Sequence, residues 1–98
     1  MYRPRRSSER WMEQAPEYVL ACYYKSGTID CYTVLLGGSL TVLGRSVQYL
    51  AMSENPARGF SQWGEMLADN RRGCGKHIRW LDLPENVRQH VVLRATTD

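Results

Sequence analysis

The sequence has no long apolar run. The longest, Tyr18 to Tyr24, is seven residues, far short of the roughly 20 that span a bilayer. No apolar stretch follows the Arg-rich N-terminus, so a secretory signal is not predicted, and the expectation is a cytoplasmic protein that makes no use of a membrane. Cysteine is scarce and odd in number, three in all, which points to reduced thiols rather than a disulfide framework. Lysine is nearly absent: Lys25 and Lys76 are the two among thirteen basic residues, and the rest are Arg, whose planar fork suits carboxylate or phosphate. There is no internal repeat and no low-complexity segment, which excludes a solenoid or a linker protein.

The chain has 98 residues, 43% of them hydrophobic and 23% charged, with three Trp, six Tyr and one Phe. That is enough for one modest core and too little for a cleft between two lobes. The net charge of +3 is localised. Arg3, Arg5, Arg6 and Arg10 stand against Glu9 in the first ten residues, while basic and acidic side chains balance in the remainder. Residues 1–16 therefore read as a basic arm holding one short helical turn around Trp11 and Met12, and residues 17–98 as a single α+β domain.

Within that domain two β-rich segments, Glu17 to Tyr24 and Ile29 to Leu36, flank the turn signal Lys25-Ser26-Gly27-Thr28. A two-residue turn at Ser26-Gly27 would set Cys22 opposite Cys31 and place Cys22, Tyr24, Ile29, Cys31 and Thr33 on one face, with Tyr23, Tyr32 and Val34 on the other. Both faces are largely apolar, so these strands are expected to be covered on both sides or to lie centrally in the sheet. Gly37-Gly38 and Gly44-Arg45 mark further turns leading to Leu40–Leu43 and Val47–Met52. The outcome is a small antiparallel β-meander of three or four strands.

Ser53-Glu54-Asn55-Pro56 ends the last of these strands, because proline cannot donate to a ladder. A long aromatic-rich connection follows, Ala57 to Cys74, in which Phe60, Trp63, Met66 and Leu67 fit a short helical face. Lys76 to Leu81 reads as a short extended segment. Asp82 as N-cap, Pro84 in the first turn and Glu85 closing a capping box predict a C-terminal helix from Leu83 to about Ala95. It lays Leu83, Val87 and Val91 on the sheet and turns Arg88, Gln89 and Arg94 outward.

Chemistry-bearing constellations are few. Cys22 and Cys31, if opposed, plus Cys74 and His77 would draw a Cys3His zinc site, but core packing is the commoner use of such cysteines, and no metal or other cofactor is assigned. His77, His90, Glu54 and Glu65 form no nucleophile elbow, phosphate-cradling loop or metal dyad, so no catalytic residue is assigned and an enzyme is not expected. Trp and Arg together are the material of protein-binding hot spots. Arg58, Phe60, Trp63, Arg71, Arg72, Arg79 and Trp80 are accordingly the candidate contact surface, the competing role for both Trp being to complete the core. Arg3, Arg5, Arg6 and Arg10 are the candidate phosphate contacts of an alternative nucleic-acid role.

Four motifs carry a resemblance: Tyr49-Leu50-Ala51-Met52-Ser53-Glu54-Asn55-Pro56, then Gly59-Phe60-Ser61-Gln62-Trp63-Gly64-Glu65, then Gly75-Lys76-His77-Ile78-Arg79-Trp80, then Leu83-Pro84-Glu85-Asn86-Val87-Arg88-Gln89-His90-Val91. Over residues 45–94 this pattern resembles short uncharacterised proteins encoded by bacteriophages and prophages. The resemblance implies an accessory protein working in the bacterial host cytoplasm and brings no catalytic residue with it. Together these readings make a binding module the first expectation, its partner a host or phage protein complex that it inhibits or redirects, as anti-CRISPR proteins and polymerase inhibitors do. The alternatives are a nucleic-acid binder using the Arg arm and a virion structural subunit.

Overall fold

In the computed structural model, residues 10–37, 46–67 and 73–97 are described. A 3-10 turn at Arg10–Met12 precedes five strands, β1 (Val19–Tyr24), β2 (Tyr32–Leu36), β3 (Ser46–Met52), β4 (Ser61–Leu67) and β5 (Lys76–Ile78). A second 3-10 turn, Trp80–Asp82, leads into the helix α1 (Glu85–Thr97). The strands form one sheet in the order β4-β3-β2-β1-β5, each antiparallel to its neighbours. The fold is thus α+β, a meander packed by a C-terminal helix, with β5 returning to the far edge beside β1. Among the described residues no helix is long and apolar enough to cross a membrane.

The first hairpin differs from the sequence expectation in register. Cys22 pairs with Val34 and Tyr24 with Tyr32, and the Lys25 N–H donates to the Cys31 carbonyl at 2.8 Å, so residues 26–30 all belong to the loop. Cys22 does not face Cys31. The slip is an odd number of residues, which exchanges the faces that the two strands share. Burial accounts for the choice: the observed pairing puts Cys22, Val34 and Leu36 together under the helix and leaves Ile29 outside the sheet at 70% exposure. A bulge between Val19 and Ala21 keeps Val19 opposite Leu36 on that same face and turns Leu20 out to solvent.

The segment after Pro56 corrects a second expectation. Residues 61–67 form the edge strand β4, paired along its whole length with β3 from Ser46 opposite Leu67 to Met52 opposite Ser61. Alternation in a strand sends Trp63 and Met66 to opposite faces, so the supposed helical stripe does not exist. Gly64 disfavours a helix and serves the sheet. It lies opposite Tyr49, and a Cβ there would stand 2.5 Å from the phenol end of that ring, so the ring lies across the strand where a side chain would be. Ser53 ties the intervening turn, its N–H donating to the Phe60 carbonyl at 2.9 Å and its Oγ accepting from the Phe60 N–H at 3.0 Å.

Leu83, Val87 and Val91 form the apolar stripe read from the sequence and are buried against Cys22, Val34, Leu36, Leu50, Met52 and Trp80. The start of the helix is not where the capping pattern put it. Asp82 accepts from the Arg79 N–H at 3.0 Å and from its guanidinium, closing the 3-10 turn, and the Pro84 carbonyl accepts the first helical bond from Arg88. Nor does Arg88 simply face outward. It donates to the carbonyls of Leu83 and Met12 at 3.2 and 3.0 Å and lies over the Trp11 ring.

Candidate functional site on the helix-free sheet face

The sheet face away from α1 carries a second cluster. Tyr23, Leu35 and Cys74 are buried there, with Ala21, Val47, Tyr49 and Met66 packed against them. Strand alternation explains it: these are the residues between those that β1, β2 and β3 turn toward the helix. The face is concave. A cavity of about 270 Å³ has Thr33 and Ala51 on its floor, Tyr49, Gln62, Met66 and Phe60 along one side, Cys74 on another, and Lys25 and Asp30 among its lining.

Its polar groups are held in place. Thr33 is buried on the central strand and hydrogen-bonds the Cys74 thiol, while burial, the larger effect, pushes that thiol up from its ordinary value. The Cys74 thiol also points to the Met66 sulfur at 4.0 Å. Lys25 Nζ donates to the Gly73 carbonyl at 3.4 Å, tying the first hairpin loop to the turn before β5. Gly75 makes that turn possible, at φ +103° with the Tyr24 carbonyl where a Cβ would be. The result is a hollow of mixed character, with apolar side chains beside hydroxyl, amide and charged groups, suited to receiving a side chain or short segment of a partner.

The candidate contact surface read from sequence does not assemble. Trp80 is buried in the helix-side core, its indole N–H donating to the Trp11 carbonyl at 2.7 Å, and Trp63 packs against that same core. Arg79 is exposed and engaged by Asp82 at 3.0 Å, an interaction that raises the Arg79 pKa and holds the Asp82 carboxyl below its ordinary range. Arg79 and Trp80 follow β5 at one edge of the sheet, and Arg58, Phe60 and Trp63 belong to the β3–β4 turn and β4 at the other. Of the described members of the set, Phe60 alone lines the concave face, and Arg58 lines a separate shallow hollow beside Ser53, Glu54 and Asn55. Arg10 is exposed in its 3-10 turn. Arg3, Arg5, Arg6, Arg71, Arg72 and the strand expected at Leu40–Leu43 lie outside the described residues.

The zinc drawing fails on geometry. Cys22 is under the helix, and Cys74 is in the cluster on the opposite face. Burial raises the Cys22 thiol to about 12 and raises Cys31 as well, with Glu54 adding to it. His77 packs its ring against Tyr23 at 5.3 Å. One pairing had no signal in the sequence: Ser61 Oγ on β4 and His90 Nε2 on α1 are 2.8 Å apart. Both are half-buried, and the pair ties the helix to the edge strand. The residues that sequence reasoning missed, Thr33, Tyr49, Gln62 and Met66, are ordinary strand residues that become a site only through cross-strand register. No known protein family, curated protein or solved structure matches the chain.

Proposed function

We propose that the protein is a small accessory protein that acts by binding a macromolecular partner, in the manner of the phage proteins its motifs resemble, and that the concave helix-free face receives that partner. The observation that carries this reading is the hollow itself. The second face of the sheet carries an apolar cluster of its own, and it presents Tyr49, Met66 and Phe60 around an open cavity with Lys25 and Asp30 among its lining. Half-buried aromatic and Met side chains beside charged groups are the composition of protein-binding surfaces. On this reading the role is to occupy a surface of a host complex in the bacterial cytoplasm, with no chemical step of its own.

The test is affinity capture from the lysate of the native host with the folded chain and two variants as bait. Gln62→Arg places a bulky cation at an exposed position of the hollow and should abolish recovery of the partner, whereas Arg79→Ala, at the opposite edge of the sheet, should not. Recovery should persist at about 0.5 M salt, where contacts made through phosphates are lost. Equal recovery with Gln62→Arg, or release of a nucleic acid by salt, overturns the reading and favours the Arg-arm alternative.

A further inference from the structure

A second cavity lies on the other side of the sheet, under the last turns of α1. It measures about 420 Å³ and is lined by Tyr18, Leu36, Gly37, Gln48, Trp63, Arg94 and Ala95. Its size falls within the range of small-ligand sites, roughly 300–1,000 Å³.

The lining has a consistent chemistry. Tyr18 and Trp63 are half-buried aromatic side chains packed beside the core. Burial raises the Tyr18 phenol, so it stays protonated and able to donate. Gln48 breaks the apolar series that Leu50 and Met52 continue on the helix side of β3, and its amide both donates and accepts. Arg94 brings a guanidinium. Among the described residues no hydrogen bond or ion pair engages the Gln48 amide or the Arg94 guanidinium. Among the described residues no carboxylate lines the cavity, and Glu65, across from Gln48 on β4, stands outside it.

Rings for stacking, an amide for reading a ring edge and one cation are the complement of a flat heteroaromatic group that carries an anion. We propose that this cavity binds such a ligand, of the nucleoside monophosphate class, with the ring against Tyr18 and Trp63, its edge at Gln48 and its anionic group at Arg94. The nearby helix C-terminus carries partial negative charge, so an anion is accepted there only because Arg94, in the last turn, outweighs it. The site is independent of the concave face, because the sheet separates them.

The experiment is a calorimetric titration of the full chain with each of the four ribonucleoside 5′-monophosphates, the parent nucleosides and inorganic phosphate. At least one monophosphate should bind. Its nucleoside should bind more weakly and phosphate alone not at all. Arg94→Gln, a change at a residue that is itself exposed, should leave the thermal midpoint in place and weaken binding tenfold or more, the loss expected of one charge-assisted contact. Gln48→Leu should alter the preference among the four bases, and Arg79→Gln should change nothing. Absence of binding at millimolar concentration, undiminished binding by Arg94→Gln, or equal binding of inorganic phosphate overturns the proposal.

Discussion

Gly64 and Gly75 both leave no room for a side chain, but different atoms stand in the way. At Gly64 the obstacle is the far end of the Tyr49 ring, which can swing aside. Gly64→Ala should therefore cost no more than about 1 kcal/mol, measurable as a shift in denaturation midpoint, while displacing the ring that walls the concave face. At Gly75 the obstacle is the Tyr24 carbonyl and φ is +103°, so Gly75→Ala should cost at least about 2 kcal/mol, or roughly 8–16 °C in thermal midpoint. His90 has a pH signature. Burial, and secondarily the Arg94 charge, lower its pKa below the ordinary 6.5, so between those two values the unfolded chain binds the proton more readily than the folded one. The stability His90 contributes is complete above about pH 6.5 and falls as pH drops toward the lower folded value. Denaturation curves across that interval should show the decline, and His90→Gln should remove this part of it.

At the level of elements, the arm turn and the helix hold each other. Arg88 spans them with bonds to Leu83 and Met12 and its position over Trp11. Arg88→Ala should lower stability by about 1–2 kcal/mol and free the Trp11 ring, visible as a change in tryptophan emission on a thermal scan. The stripe of Leu83, Val87 and Val91 was legible in the sequence because a helix repeats its inner face at a fixed spacing. The strand segments around Tyr18–Tyr24, Tyr32–Leu36 and Val47–Met52 were legible from their β-branched and aromatic content. The register of the first hairpin was not, since Lys25-Ser26-Gly27-Thr28 allows more than one loop length and Cys22, Tyr23, Val34 and Leu35 look equally apolar on either face. β4 was hidden because Phe60, Trp63, Met66 and Leu67 fit a helical spacing, and Gly64, which argues against the helix, makes sense only once Tyr49 is known to lie across from it. Both cavities draw their lining from segments distant in sequence, so no local pattern announces them.

For the molecule as a whole, the two apolar clusters hold Cys22 and Cys74, and Cys31 is buried apart from them. Cys22, Cys31 and Cys74 are free and buried, and burial holds all three thiols protonated well above neutral pH. A thiol-exchange reagent at pH 8 should react slowly with the native protein and with three equivalents after denaturation. Fast reaction at Cys74 alone would show that its thiol is reached through the hollow of the concave face. The sheet order carries a consequence for how the chain is made. β1 borders β5, with Cys22 opposite Ile78, and the residues that roof Val34, Leu36, Leu50 and Met52 are Trp80, Leu83, Val87 and Val91. During N-to-C synthesis, at about 5–20 residues per second, strands β1 to β4 emerge about 1–5 s before their roof is complete. For that interval a nascent chain shows an apolar sheet to everything near the ribosome, with the β1 edge unpaired as well as that of β4, and a message interrupted after residue 75 would yield a fragment that chaperones and proteases meet in that state.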